Sequence, residues 1–304
     1  MAKDRQTIVV CGATGNQGRA VVRSLQGDGR WSIVALSRDP GSESAWRLAA
    51  SGVEVHKADL QDVLSLLRAF EGAHGVFGVT QPWSPDYRKC DVGAEVAQGK
   101  NIVDASNQDC VEHVVLSTVL HFNRKRTGVP HVDSKLEIEE YALEKNLPHT
   151  LIKCASFMDN IGASYFPVKK GSVRGLADGD AKVPYVACAD IGYCAAIAFA
   201  RPDEYLGKEI NLVGDFVSGQ DLCDILSKLR NGEHFRYKTI PKIVMRLFAA
   251  EFYKMRLTFE AWGRQPYPTE IMDALNACRR INPKMMSVEQ YLKSVSYDSK
   301  ELSR

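Results

Sequence analysis

Apolar positions in the first half of the chain fall into short β-branched runs separated by stretches with helical spacing. Thr7-Ile8-Val9-Val10-Cys11 opens the series, and the amphipathic segment Arg19-Ala20-Val21-Val22-Arg23-Ser24-Leu25 follows it. Further extended runs are expected at Ser32–Leu36, Val53–Ala58, Gly75–Thr80, Val111–Thr118 and His149–Cys154. Between them, helical patterns cover 44–51, 62–70, about 86–107 and about 134–145. Repeated strand–helix units of this length predict a parallel sheet with helices on both faces.

The second half is less regular. Val183–Ala187 reads as extended, Asp190 opens an apolar helix over Ile191–Ala200, and Glu209–Val213 could return to the sheet. Helical patterns over 219–230 and 243–262 and an extended run at 235–240 follow. Ser287-Val288-Glu289-Gln290 has the spacing of a capping box. The fold class expected is α/β: a doubly wound Rossmann sheet over residues 1–160, completed by residues within 183–214, with a smaller α+β domain over 161–304.

The first strand runs directly into Gly12-Ala13-Thr14-Gly15-Asn16-Gln17-Gly18. Strand, glycine turn and helix in this order hold a dinucleotide pyrophosphate. Gly12 would let the chain turn off the strand, Gly15 would let backbone approach phosphate, and Gly18 would let the helix sit close to the sheet. Unpaired N–H groups at the helix start then face the anion. Gly12, Thr14, Gly15, Asn16, Gln17 and Gly18 are therefore candidate cofactor contacts.

The second strand ends Ser37-Arg38-Asp39-Pro40, where an NAD site usually carries an acid for the ribose. Arg38 in that place suits a 2′-phosphate, through charge-assisted bonds and a planar face for adenine. NADP(H) is the cofactor expected. Asp59 stands after the third strand, to flank adenine or to cap the next helix. Thr80 and Gln81 after the fourth strand, and Cys154 at the end of the sixth, belong beside the cofactor by topology; for Cys154 a buried structural thiol is the alternative.

Composition narrows the partners. The 304 residues carry 39 basic and 37 acidic side chains, a balance without the footprint of direct nucleic-acid binding. No apolar stretch is long enough to span a membrane, and no signal peptide is evident. The eight cysteines show no CxxC pair and no metal-ligand spacing, so no metal site is expected and a reducing, intracellular setting is. Arg124-Lys125-Arg126 is a short basic cluster that could meet acidic partners or serve nuclear import, or lie solvated in a loop.

Four segments together carry a family resemblance: Gly12 to Gly18, Ser37-Arg38-Asp39-Pro40, Val79-Thr80-Gln81-Pro82-Trp83 and His131-Val132-Asp133-Ser134-Lys135. They resemble the NmrA-like family of atypical short-chain dehydrogenase relatives, particularly the animal NmrA-like family domain-containing proteins. The similarity extends through Phe157-Met158-Asp159-Asn160 to Ile281-Asn282-Pro283-Lys284. The resemblance implies a Rossmann domain with a smaller C-terminal domain, and cofactor contacts from Phe157 and Asn160. It also implies a redox-sensing regulator of transcription or signalling that acts through a protein partner, in the cytoplasm with some nuclear entry. A homodimer is one option.

Short-chain dehydrogenases pair Tyr and Lys with three residues between them on one helix face, for proton transfer and ribose contact. Here the pair reads His131-x-x-x-Lys135. Lys135 is expected at the ribose, and Ser117 and Thr118 could fill the hydroxyl position. His131 could relay a proton or be a loop residue after Pro130. Three functions stay open: an NADP(H) sensor without dehydrogenase turnover, an NADPH-dependent reductase of quinones, ketones or phenolic substrates that uses Lys135, with His131 as a second catalytic candidate, or a constitutive scaffold with a relict nucleotide pocket.

Overall fold

The computed structural model describes residues 5–84, 90–108, 110–169 and 171–295. In chain order the first elements are β1 (Thr7–Val10), α1 (Asn16–Asp28), β2 (Ser32–Ser37), α2 (Glu43–Ala50), β3 (Glu54–Lys57), α3 (Val63–Phe70) and β4 (Gly75–Gly78). Then come α4 (Val92–Ser106), β5 (His113–Val119), α5 (Pro130–Glu144), β6 (His149–Cys154), β7 (Ser156–Phe157), β8 (Val168–Lys169), β9 (Ser172–Arg174) and β10 (Lys182–Val186). The remainder is α6 (Cys188–Ala200), α7 (Pro202–Tyr205), β11 (Lys208–Leu212), β12 (Asp215–Ser218), α8 (Gly219–Leu229), β13 (Arg236–Lys238), α9 (Lys242–Phe248), α10 (Ala250–Gly263), α11 (Thr269–Ile281) and α12 (Val288–Ser294).

The chain divides into two compact units. Met1–Arg126, Pro130–Lys153 and Ile191–Ile210 form the first, and Thr127–Val129, Cys154–Asp190 and Asn211–Arg304 the second. A seven-stranded sheet in the order β11-β6-β5-β4-β1-β2-β3 organises the first unit. β1 pairs in parallel with both β2 and β4, and β4 with β5. The sheet is therefore doubly wound, and the strand order reverses between β1 and β4. In such sheets ligands sit outside the carboxyl ends of the strands, at that reversal.

Continuous apolar runs make these strands, because helices cover both faces. Val9, Val34, Leu36, Val76, Val114, Leu116 and Leu151 are buried in one cluster with Leu66 and Phe70 of α3 and Ile102 of α4. Asp62 caps α3, its carboxylate accepting from the N–H groups of Leu64 (3.0 Å) and Ser65 (3.2 Å).

Two three-stranded sheets, β12-β10-β7 and β13-β9-β8, lie in the second unit. Its core joins Met158, Val183, Leu222, Leu226, Phe235, Val288 and Leu292. Ser287 and Gln290 form the expected capping box at α12, and Ser218 and Asp221 form another at α8. Buried Asp190 accepts from Asn282 Nδ2 (2.8 Å) and the Met286 N–H (3.1 Å), which ties the start of α6 to the segment before α12.

Several boundaries differ from expectation. The helix read from 86 starts at Val92, capped by Asp91; residues 86–89 lie outside the described residues. α5 begins at Pro130, a residue suited to a first helical position, so His131 stands in the first turn and not in a loop. α6 starts at Cys188, before Asp190. The single helix expected over 243–262 is two, broken at Ala249, where φ −149° and ψ 54° leave the helical region. No helix among the described residues is long and apolar enough to cross a membrane.

Candidate functional site

The parallel sheet brings most of the candidate residues to one edge, the carboxyl ends of its strands. Gly12 follows β1 with φ +60°, a conformation that L side chains rarely adopt, and a Cβ there would lie 2.8 Å from Val79 Cγ1. Gly18 is required by close approach: its Cβ would lie 2.2 Å from the Gly12 carbonyl oxygen. The Gly15 N–H donates to that same carbonyl at 2.9 Å, which closes the turn. Gly15 then stands at the N-cap of α1 without a side-chain cap, and the first turn of α1 holds no acid. Thr14 is half-buried, and Gly15 and Asn16 are exposed.

This uncapped, acid-free helix start is an anion cradle. Arg19, which the sequence reading left as a helix-face residue, adds charge to it. Its Nε donates to the Gly15 carbonyl (3.3 Å) and its Nη2 to Asn16 Oδ1 (3.0 Å). Gln17 reaches the other way: the buried Ser117 hydroxyl donates to Gln17 Oε1 at 2.6 Å and ties the loop to β5. Burial pushes the Cys11 thiol beneath the loop up to about 12, so it stays protonated.

At the end of β2, Arg38 is exposed and makes no hydrogen bond or ion pair among the described residues. Asp39 is held in the turn that follows β2. Its Oδ1 accepts from the Gly41 N–H at 2.9 Å, while its carbonyl accepts from the Ser37 (2.9 Å) and Ser42 (2.7 Å) hydroxyls. Exposed Asp59 accepts from the Gln61 N–H at 3.0 Å, and the cap of α3 is Asp62 instead. Uncapped helix start, glycine cradle and free guanidinium fit a dinucleotide carrying a 2′-phosphate.

Lys135 is held between the segment after β4 and α4. Its ammonium donates to the Thr80 carbonyl (2.9 Å) and Thr80 Oγ1 (2.7 Å), and lies 2.9 Å from Glu95 Oε1. A lysine has three N–H donors, and three acceptors take them. Glu95 is fully buried and also accepts from the Thr80 (3.0 Å) and Ser134 (2.5 Å) hydroxyls. Thus the segment after β4, α4 and α5 meet in one satisfied buried ion pair. The cavity behind it, lined by Thr80, Thr118, Lys135 and Ile138 among others, is about 10 Å³, too small for an aromatic ring. Thr118 Oγ1 lines it with no hydrogen-bond partner.

His131 packs against Trp83, with ring centroids 5.7 Å apart. Gln81 is exposed just past Thr80. Cys154, Phe157 and Asn160 belong to the second unit. There Cys154 is buried, Phe157 pairs with Val186 of β10, and the Asn160 carbonyl accepts from Ala163 at 3.0 Å. All eight cysteines are free thiols. In the basic cluster, Arg124 pairs with Glu209, and Arg126 with Glu140. Among the described residues no group of three or more His, Cys, Asp or Glu could hold a metal ion.

Sequence reading missed Glu95 and Arg19. Glu95 gave no signal, because a lone acid in a helix is most simply a solvated one and its lysine partner lies forty residues on. Arg19, one residue past the third glycine, could have been found: a cation in the first turn opposes the helix dipole unless an anion is expected there.

Comparison with known proteins agrees with this architecture. The pattern of the NmrA-like family matches residues 4–298. The chain is 30% identical over 255 residues to an NmrA-like family domain-containing oxidoreductase, FrzB, of Cladobotryum, covering 77% of this chain and 76% of that protein. A crystal structure of NmrA, titled a negative transcriptional regulator, superposes with a TM-score of 0.79 at 21% identity, over 96% of each chain. The NADPH-dependent quinone oxidoreductase QOR2 of Escherichia coli, crystallised with NADPH, gives 0.75 at 22% identity, over 95% of this chain and 99% of that one. Those two likenesses show a shared fold. With the family pattern running through both units, the chain belongs to the NmrA-like family.

Proposed function

We propose that this protein binds NADP(H) and acts as a redox-linked regulator through a protein partner, without dehydrogenase turnover. The N–H groups of α1 and the Arg19 side chain would hold the pyrophosphate, Arg38 the 2′-phosphate, and Gln17 the loop itself. Thr14, Asp59, Thr80, Gln81, Lys135, Cys154, Phe157 and Asn160 remain candidate contacts. The NADPH and NADP(H) chemistry is that of hydride exchange at a nicotinamide.

One observation carries the absence of turnover. Carbonyl reduction needs a proton donor at the reacting oxygen, and no tyrosine stands at 131. The Lys135 ammonium is engaged by Thr80 and Glu95, which supports the reading. Binding of NADPH, NADP, NADH and NAD by calorimetry, followed by a turnover assay, tests the reading. Tight NADPH binding with negligible consumption is expected.

A second reading, an NADPH-dependent quinone reductase, draws support from the relatives titled oxidoreductases. Robust consumption of NADPH with a quinone would favour it and remove the first.

A further inference from the structure

Among the described residues twelve large apolar side chains are exposed, and five of them fall within 240–257: Ile240, Ile243, Val244, Leu247 and Leu257. Ile243 and Leu247 are 63% and 68% exposed, on α9. Isolated exposed apolar residues are ordinary, but three on one face of the short α9, with Ile240 just before it, are not.

The cluster is held outward from below. Arg256 of α10 is buried, donating to the Ile240 carbonyl (2.6 Å) and Glu260 Oε1 (2.7 Å) and contacting Met245 Sδ (3.6 Å). It also pairs with Asp178, and Lys242 Nζ lies 2.6 Å from Glu260 Oε2. Met245 points inward and is buried. This network fixes α9 on α10, so Ile243, Val244 and Leu247 cannot turn in without breaking a buried ion pair.

Charge identifies what fits the face. Residues 236–264 hold seven Lys and Arg against two Asp and Glu, and of the seven, Lys242, Arg256 and Arg264 are paired with Asp178. Arg236, Lys238 and Arg246 are exposed and make no ion pair among the described residues. A second copy of the chain, meeting this face with its own, would set like charges together.

We propose that α9 and α10 form a docking surface for an acidic amphipathic helix of a partner protein. The partner's apolar stripe would cover Ile243, Val244 and Leu247, and its flanking carboxylates would meet Lys238 and Arg246. This rests on the regulatory reading above and names the chemistry of the partner.

The test uses the full chain and a labelled helical peptide with Leu at i, i+3, i+4 and i+7 and Glu at flanking positions. A second peptide has every Glu replaced by Lys, and vesicles of phosphatidylserine and phosphatidylcholine serve as a third probe. Anisotropy should show the Glu peptide binding at least tenfold more tightly than the Lys peptide, and weakening with salt. Ile243→Ser with Leu247→Ser should lower that affinity about tenfold or more. Arg246→Glu, which changes charge alone and serves if the double variant does not fold, should lower it and flatten the salt dependence. NADPH affinity should stay at the wild-type value in every variant. Equal binding of both peptides, or of neither, overturns the proposal. Preferential capture by phosphatidylserine vesicles would assign the face to a membrane, and self-association abolished by Leu247→Ser would assign it to a second copy; both overturn it. Peptide binding in a protein that fails to bind NADPH would overturn the cofactor reading and leave this surface standing.

Discussion

Lys135 Nζ lies 2.9 Å from Glu95 Oε1, and the lysine side chain is 13% exposed while that of the glutamate is 0%. The lysine that reads in sequence as a catalytic or ribose-binding group also closes a buried ion pair joining α4 to α5.

Removing one half leaves the other as an uncompensated buried charge. Lys135→Met should lower the unfolding free energy by about 3–5 kcal/mol. The double variant with Glu95→Gln should recover most of that, since the amide can still bond the Thr80 and Ser134 hydroxyls. Urea denaturation of both variants measures this. A Lys135→Met protein as stable as wild type would show that the pair does not form in solution.

Arg38 should set cofactor choice. A charge-assisted bond to a phosphate contributes about 1.5–3 kcal/mol, so Arg38→Ala should weaken NADPH by roughly 10- to 100-fold and leave NADH nearly unchanged. Calorimetric titration of both cofactors gives the ratio. An unchanged ratio would place the 2′-phosphate elsewhere.

Two buried groups make stability depend on pH in opposite senses. Burial, with smaller effects from His74 and His149, lowers His113 to about 4 in the folded protein, against about 6.5 in an unfolded chain. Its contribution is complete above 6.5 and is lost as pH falls through 4, by about 3 kcal/mol in all. His113→Asn should therefore gain on the wild type as the pH falls from 7 to 4. Burial raises Asp190 to about 6, although Met286 and Asn282 donate to it. That contribution is present at low pH and is lost as pH rises from about 4 through 6, so Asp190→Asn should gain on the wild type in the other direction. Chemical denaturation across pH 4–7 reads both slopes, and parallel curves for variant and wild type would contradict the assignment.

Gly192 of α6 should tolerate no side chain. A Cβ there would lie 2.4 Å from the carbonyl carbon and oxygen of Ala20 in α1, so backbone must move. Gly192→Ala should cost about 1–3 kcal/mol by denaturation despite the better helix propensity of alanine. A neutral or stabilising outcome would mean that α1 and α6 are less closely packed.

Much of the first unit was legible because its signals are local. The β1 run, the glycine loop and the cap at Asp62 each lie within a few residues of what they determine. β6 was read with its observed bounds, because Asn146 and Pro148 punctuate its start. Long-range relationships were not legible. Glu95 with Lys135 and Gly192 with Ala20 depend on helices brought together by the sheet. The break at Ala249 carries neither glycine nor proline, so the run from 243 to 262 reads as one helix. β12 and α11 escaped notice in an irregular second half whose elements are short and whose core comes from distant segments.

On the function proposed above, the site holds NADP(H) without consuming it. The most direct measurement is the loss of NADPH absorbance by the purified protein at saturating cofactor, with a panel of quinones, ketones and phenolic substrates. The rate should be indistinguishable from that of the protein-free mixture. Sustained oxidation of NADPH with any of these acceptors would contradict it.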